Sequence, residues 1–201
     1  SQYRLACHLC LAFIIFGYLL FLCLSFKRWQ INSVSAKVSI ASKSITVLIF
    51  VTVFSGALVA GLNGGLVYNT FPLMDGDLVP NDLFPLTPMY LNFFENILTV
   101  QFDQRLLALA CFVSIIAFWS VISRTSLSKY QRVSINALAL VCIIQVCLGV
   151  LTLIYRVPLL AATLHQAGGL VLFGTSVWVS TLFHYNKNNV SLSSKHGKII
   201  V

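Results

Sequence analysis

Charged residues are scarce in this chain of 201 residues. Asp, Glu, Lys and Arg make up only 9% of it, and five residues in total are acidic, whereas apolar residues make up 58%. The mean hydropathy is +0.90. Soluble domains carry about 25% charged residues, so this composition excludes that class. Because apolar runs recur along the whole length, a single signal peptide cannot explain them, and we predict an all-α integral membrane protein.

The patterns that would give the six cysteines a special role are also lacking. All six lie in apolar segments, and CHLC (7–10) is the single Cys-x-x-Cys pair, without the histidine directly after it that covalent haem attachment requires. We therefore expect free thiols that behave as small hydrophobic side chains, not a disulfide framework or a metal site. The chain opens on Ser1 and enters an apolar segment almost at once, so we expect further sequence upstream.

Apolar segments long enough to cross a bilayer occur five times. A membrane helix needs about 20 such residues for about 30 Å of hydrocarbon. The predicted spans cover about 4–26, 44–63, 98–122, 133–155 and 159–183.

Basic residues predict the orientation of these spans. Ten of the thirteen Lys and Arg residues lie in 27–43, between the third and fourth spans, or in 184–201, and all five acids lie at the opposite face. The positive-inside rule makes the basic side cytoplasmic or matrix. The net charge of +8 is thus a topology signal, and nucleic acid is not an expected partner.

The segments outside the spans have different expected roles. Residues 27–43 are predicted to form an inner-side loop, and 64–97 a long outer loop rich in proline and glycine, of the kind that often acts as a lid or docking surface. Residues 184–201 are polar and lack periodicity, which predicts a disordered inner-side tail with solvated histidines, His184 and His196.

An internal repeat links the first and fifth spans. HLCLAFIIFG (8–17) and HQAGGLVLFG (165–174) both have His, seven residues, then Phe-Gly. The two spans run in the same direction, as a repeated four-helix unit requires. We therefore predict that 1–26 is the last helix of an N-terminal four-helix half that is otherwise missing. Residues 44–183 are predicted to form a second four-helix bundle.

Two histidines, His8 and His165, lie within the predicted spans. A lone histidine on an apolar helix is often a hydrogen-bonded core residue, but in a membrane an ionisable side chain usually marks a functional site. Their equivalent places in the repeat favour ligands. Imidazole between facing helices is a common way to hold haem iron, so both are candidate haem ligands.

The stretch LTVQFDQRLL (98–107) places polar residues at the start of the third span. Gln104 and His165 each lie six residues, about 9 Å, into spans that run the same way and are diagonally opposed in a four-helix bundle. Gln104 thus stands where a second axial histidine is expected. Arg105 has two interpretations, an ion pair with Asp103 at the interface or a contact with a haem propionate.

Small residues in the second span, with Ala57, Gly61 and Gly65 spaced four apart, allow two interpretations as well. They permit close packing of helices, or they leave room for a flat macrocycle.

Four stretches carry a resemblance to a known family: YRLACHLCLA (3–12), GALVAGLNGGLVYNTFPLMDGDLVP (56–80), FFENILTVQFDQRLLA (93–108) and LAATLHQAGG (160–169). Together they closely resemble haem A synthase in its mitochondrial and proteobacterial form, over residues 3–183. The resemblance implies one of two similar four-helix halves, of which the first binds the haem O substrate and the second a b-type haem. It also implies oxidation of a haem O methyl group to a formyl group, which makes haem A for cytochrome oxidase.

The resemblance also assigns roles to individual residues. His8 corresponds to a haem O ligand, His165 to an axial ligand of haem b, and Gln104 to the histidine of the family's VQFDHR motif. Since an amide oxygen is a weak ligand for iron, we expect a five-coordinate or loosely held haem b. The catalytic residues are expected in the missing half, so this chain alone is expected to be inactive.

The alternative hypothesis is a membrane b-type haem-binding or electron-relay module without methyl oxidation. A transporter is disfavoured because the polar in-span residues lie near one face, not at the midplane. Besides the lipid bilayer and haem O, the expected partners are haem O synthase and an electron donor, and homo-oligomerisation stays open. The resemblance implies a multi-pass protein of the bacterial or mitochondrial inner membrane.

Overall fold

The chain folds into α-helices joined by short inner loops and one long outer segment. The computed structural model describes residues 1–74 and 76–184. Five of its helices are long and apolar enough to cross a membrane, which confirms the predicted all-α membrane fold. They are α1 (Gln2–Phe26), α2 (Ala36–Gly61), α4 (Ile97–Ile122), α5 (Lys129–Ile154) and α6 (Leu159–Leu182), with a short α3 (Asn92–Glu95) in the outer segment.

The inner loop is shorter than the predicted 27–43, because α2 begins at Ala36. The side chain of Ser35 caps this helix by accepting a hydrogen bond from the Val38 N–H, and the buried Ser42 hydroxyl donates to the Ser39 carbonyl. Serines satisfied in this way extend a helix beyond its apolar part. The hydropathy pattern therefore located only the apolar part of α2. The inner loop covers residues 27–35.

The same effect places the start of α5 at Lys129 and not at 133. Ser128 and Gln131 form a capping box, in which each side chain bonds the other's backbone N–H. In the predicted tail, His184 is exposed, while 185–201 lie outside the described residues.

Four helices close into a ring. α2 and α5 each pack against both α4 and α6, so α4 and α6 are diagonally opposed, as expected. α1 lies outside the ring, against α2 and α6. A continuous hydrophobic core fills the inner half of the bundle, with Ile49, Ile115, Ile135 and Leu138 almost fully buried.

The two repeat segments meet at the α1–α6 interface through equivalent residues. A Cβ atom on Gly17 would lie 2.8 Å from Cε1 of Phe173, and one on Gly174 would lie 3.3 Å from Cε1 of Phe16. Each glycine thus receives the phenylalanine of the other segment. The sequence repeat therefore builds a reciprocal helix contact.

Helix packing also accounts for Gly61 of α2 and for Gly65 just beyond its end. A Cβ atom on Gly61 would lie 2.5 Å from the Cα of Gln2, so α1 packs closely against α2 there. A Cβ atom on Gly65 would lie 2.9 Å from Cγ2 of Val157. Both glycines meet protein, which favours the packing interpretation over space for a macrocycle.

Hydrogen bonds fasten the inner loops at one end of the bundle. The fully buried Gln131 accepts from the N–H groups of Asn32 and Ser128 and donates to the carbonyls of Asn32 and Leu182. Asn32 also donates to the Ser126 carbonyl. The loops that the charge pattern assigned to one side therefore meet at one end.

The outer segment closes the other end. Asn69 donates to the Leu153 carbonyl of α5 at 2.9 Å, and the Tyr3 hydroxyl of α1 donates to Glu95 at 2.8 Å. Asn92, buried at 0% exposure, holds the backbone of Leu86 and Met89. The described part of the outer segment is thus anchored to α1 and α5 although it has little regular structure.

Candidate haem site

Polar side chains near the start of α4 form hydrogen bonds with the outer segment. Arg105 donates from Nη2 to the Tyr68 carbonyl at 2.9 Å and from Nη1 to the Leu73 carbonyl at 3.2 Å. Gln101, one turn earlier, also donates to the Tyr68 carbonyl at 2.9 Å. Among the described residues, Arg105 makes these contacts and no ion pair with Asp103. The guanidinium binds carbonyl groups of the outer segment, and its Nε has no protein partner.

Buried polar atoms without a protein partner gather near the outer end of the bundle. Most buried polar groups in folded proteins are hydrogen-bonded, and leaving one unpaired costs about 1–3 kcal/mol. Six such side-chain atoms occur among the described residues, and five belong to this region: Gln101 Oε1, Gln104 Oε1, Arg105 Nε, Gln145 Oε1 and His165 Nδ1. Such a concentration indicates a site that is completed by a bound molecule.

His165 lies one and a half turns into α6 and rests on a glycine of α5. A Cβ atom on Gly149 would lie 2.9 Å from Cε1 of the imidazole and 3.4 Å from Nδ1. The absence of a side chain at 149 therefore creates the space that the ring occupies. The unpartnered Nδ1 leaves one ring nitrogen free of any protein bond.

Gln104 lies two turns into α4 and occupies a similar seat on α2. A Cβ atom on Gly56 would lie 3.4 Å from its Nε2, and the Gln104 Oε1 is buried without a partner. Gln104 follows Ile97 by seven residues and His165 follows Leu159 by six, so both stand about 10 Å from the outer ends of their helices. The predicted pair therefore lies at one level on the two diagonal helices.

Gln145 of α5 belongs to the same region. It is not ionisable, and it was not predicted from the sequence as a site residue. Its Nε2 donates to the His165 carbonyl at 2.9 Å. Its Oε1 lies directly against Gly168, where a Cβ atom would overlap it. Gly149 of α5 thus contacts His165 of α6, and Gly168 of α6 contacts Gln145 of α5. An uncharged polar residue inside an apolar span was the signal that could have found it.

The donor set fits a haem better than a bare metal ion. Within residues 1–74 and 76–184 no three His, Cys, Asp or Glu side chains come together as a metal site. A porphyrin supplies the equatorial nitrogens itself and needs only axial ligands from the protein. His165 and Gln104, which lie at similar depths on diagonal helices, are the residues that would offer such ligands.

His8 is not brought together with His165. It is exposed on the face of α1 that points away from the ring, with Arg4, Leu11 and Ile15 on the same stripe. All six cysteines are free thiols, and Cys111 and Cys142 are buried in the core as small hydrophobic side chains. His8 can therefore serve only a molecule or a helix that lies against the outer face of α1.

The close contact between His165 and Gly149 leads to a testable prediction. Gly149→Ala puts a methyl group within 3 Å of the imidazole, so the ring has to turn out of its position. We expect haem retention during purification to fall roughly tenfold, the size of effect seen when support for a metal ligand is disturbed. Gly174→Ala is the control, because that glycine contacts Phe16 in another interface. Equal haem retention in both variants would contradict this role of Gly149.

The chain is similar to known proteins of one family. Residues 1–177 match the family described as COX15-CtaA, cytochrome oxidase assembly protein. Proteins named haem A synthase are similar to the chain in Nitrosomonas eutropha, with 46% identity over 184 residues, and in Wolbachia pipientis wMel, with 44% identity over 184 residues. A third, from Nitrosospira multiformis, is 41% identical over 184 residues.

The matches cover about nine-tenths of this chain, but the chain spans about half the length of these relatives: 52%, 50% and 52% in the order given. No solved structure matches the chain significantly. With five membrane-length helices, it is a multi-pass integral membrane protein, and the bacterial relatives agree with the predicted inner membrane of a bacterium or mitochondrion. The extent of the family match shows that the chain belongs to the COX15-CtaA family of cytochrome oxidase assembly proteins.

Proposed function

We propose that the bundle of α2, α4, α5 and α6 binds one haem b and acts in the synthesis of haem A. His165 would hold the iron through its imidazole, and Gln104 would offer its amide oxygen to the same group. The observation that supports this proposal is the group of five buried polar atoms without a protein partner, near the contacts of Gln104 with Gly56 and of His165 with Gly149. Haem b at this place would supply one-electron redox chemistry close to the outer face.

The protein's own residues hold and shield the group. Gln145 fixes the backbone at His165, and Gly149 gives the imidazole its space. Arg105 and Gln101 hold the segment around Tyr68 at the outer end, where it would shield a bound haem from water. The free Nε of Arg105 can donate to a propionate without release of either carbonyl.

The substrate we propose is haem O, one methyl group of which becomes a formyl group. This is a four-electron oxidation, in which water supplies the formyl oxygen and an oxidant from outside the chain accepts four electrons and four protons. His8, on the open face of α1, is the candidate ligand of this second haem. The proposal places the opposite ligand and the catalytic acid in the N-terminal half of the family, so these 201 residues alone leave haem O unchanged. Haem O synthase, an electron donor and a second copy of the chain stay predicted partners.

A proposed role for Arg105 at a propionate predicts a change in redox potential. Arg105→Gln removes a positive charge next to the haem, which favours the ferric state, so the midpoint potential should fall by on the order of 50 mV. Gln101→Leu is the matched control, because it also removes a bond to the Tyr68 carbonyl but no charge. If a redox titration gives both variants the same potential, Arg105 does not contact a propionate and only holds the outer segment in place.

The synthase activity can be tested by chromatography of haems extracted from cells that accumulate haem O. We expect haem A when the chain is co-expressed with the N-terminal half of a relative, and haem O only when either half is expressed alone. Haem A formed by the chain alone would contradict the proposed division of labour.

A second candidate function is an electron-relay module, and Gln104 is the residue that favours it, since a weak axial ligand changes the potential of a haem. In that case b haem is bound, but no haem A forms in the co-expression experiment. A Gln104→His variant that restores haem A formation would assign the difference to this ligand.

A further inference from the structure

A groove opens at the inner end of the molecule, far from the candidate haem site. It has a volume of about 530 Å³ and lies between the ends of α1 and α6, with the inner loop as its floor. Phe21 and Leu24 of α1 form an apolar wall, and Phe21 is 46% exposed toward the lipid. The groove is therefore reachable from the bilayer as well as from the aqueous side.

Positive charge lines the groove without a counter-charge. Lys27 and Lys43 contribute to its surface beside His184, and none of the described residues that line it is acidic. The described acids, Asp77, Asp82, Glu95 and Asp103, lie at the outer end or in the outer segment. An anion in this groove would thus meet two ammonium groups at the level of the membrane interface.

The floor of the groove is held in place by contacts within the protein. The Trp29 indole N–H donates to the Leu24 carbonyl at 2.8 Å, and its ring packs edge-on against Tyr130 with centroids 5.1 Å apart. The Lys27 ammonium lies 4.3 Å from the centre of the Trp29 ring. Gln131 anchors the loop at Asn32. A site with fixed walls loses little conformational entropy when it binds a ligand.

We propose that this groove binds a phospholipid with an anionic headgroup. The phosphate would lie between Lys27 and Lys43, and an acyl chain would run along Phe21 and Leu24. The argument is the combination of features: a soluble anion uses only the lysines, whereas an anionic lipid also uses the apolar wall that opens to the bilayer. Basic pockets between membrane helices on the inner side suit such headgroups.

The test is native mass spectrometry of the full chain in detergent, titrated with phosphatidylglycerol or with phosphatidylcholine of the same acyl chains. Phosphatidylglycerol should bind roughly 25-fold more tightly. Lys27→Gln with Lys43→Gln should remove this preference, since each lysine near a headgroup contributes about a fivefold gain. The matched control is Lys37→Gln with Arg124→Gln, which removes the same charge from the inner face outside the groove.

A second variant tests the groove without changing charge. Ser180→Phe fills the space between α1 and α6 and should weaken phosphatidylglycerol binding as well, while the control pair keeps it within about threefold of the original. The proposal is overturned if the control pair loses as much as the lysine pair, or if Ser180→Phe binds normally. It is also overturned if inorganic phosphate displaces the lipid at equal concentration, which would mean that the groove binds a free anion.

Discussion

Replacement of His165 by alanine is expected to remove haem b from the protein. The imidazole is the strongest iron ligand that the described part of the bundle offers near its outer end, and its Nδ1 has no other partner. Disturbing a residue that merely supports a metal ligand costs about 10–100-fold in affinity, so loss of the ligand itself should cost more than roughly 100-fold. The haem-to-protein ratio, measured by the pyridine haemochrome method, should therefore approach zero.

His8→Ala is the matched control for this variant. It also removes an imidazole from a membrane helix, but His8 is exposed on α1, outside the ring of four helices. The control should keep its b haem. If His165→Ala retains haem while His8→Ala loses it, the site lies on the outer face of α1 and the proposed assignment is wrong.

Replacement of Gln104 by histidine is expected to have the second largest effect, as a gain. Imidazole binds haem iron far better than an amide oxygen does, and the side chain faces Gly56, where space is available. Haem affinity should rise at least tenfold, and the absorption spectrum should change from high-spin, five-coordinate haem to low-spin, six-coordinate haem. The midpoint potential should shift with it.

Gln101→His provides the comparison for that gain. It introduces the same side chain one turn away on α4, where the native amide is already bonded to the Tyr68 carbonyl. Its spectrum should stay high-spin. A Gln104→His variant that binds haem no better than the original chain would contradict the explanation of Gln104 as an altered axial ligand.

Much of the fold could be predicted from the sequence because a membrane restricts the choices. Apolar length fixed the number of spans, and basic loops fixed which ends lie together. The helix starts at Ala36 and Lys129 were missed, because serine caps and a buried glutamine extend helices beyond the apolar runs that hydropathy detects.

The candidate site was predicted in part. Counting residues from the helix starts places Gln104 and His165 at similar depths, on helices that the structure shows to be diagonally opposed. Their role as haem ligands stays a prediction. Contacts between helices could not be derived in the same way. The role of Arg105 at the Tyr68 carbonyl and the fit of Gln145 against Gly168 depend on how helices rotate and which backbone they meet. A single sequence contains no direct record of either.

The most direct test of the haem assignment is a reduced-minus-oxidised absorbance spectrum of the unaltered chain, recorded in membranes and again after purification in detergent. A b-type spectrum is predicted, with a haem-to-protein ratio that approaches one in membranes and falls on dilution in detergent, as the weak ligand at Gln104 requires. A folded chain that shows no haem in membranes supplied with it would contradict the account.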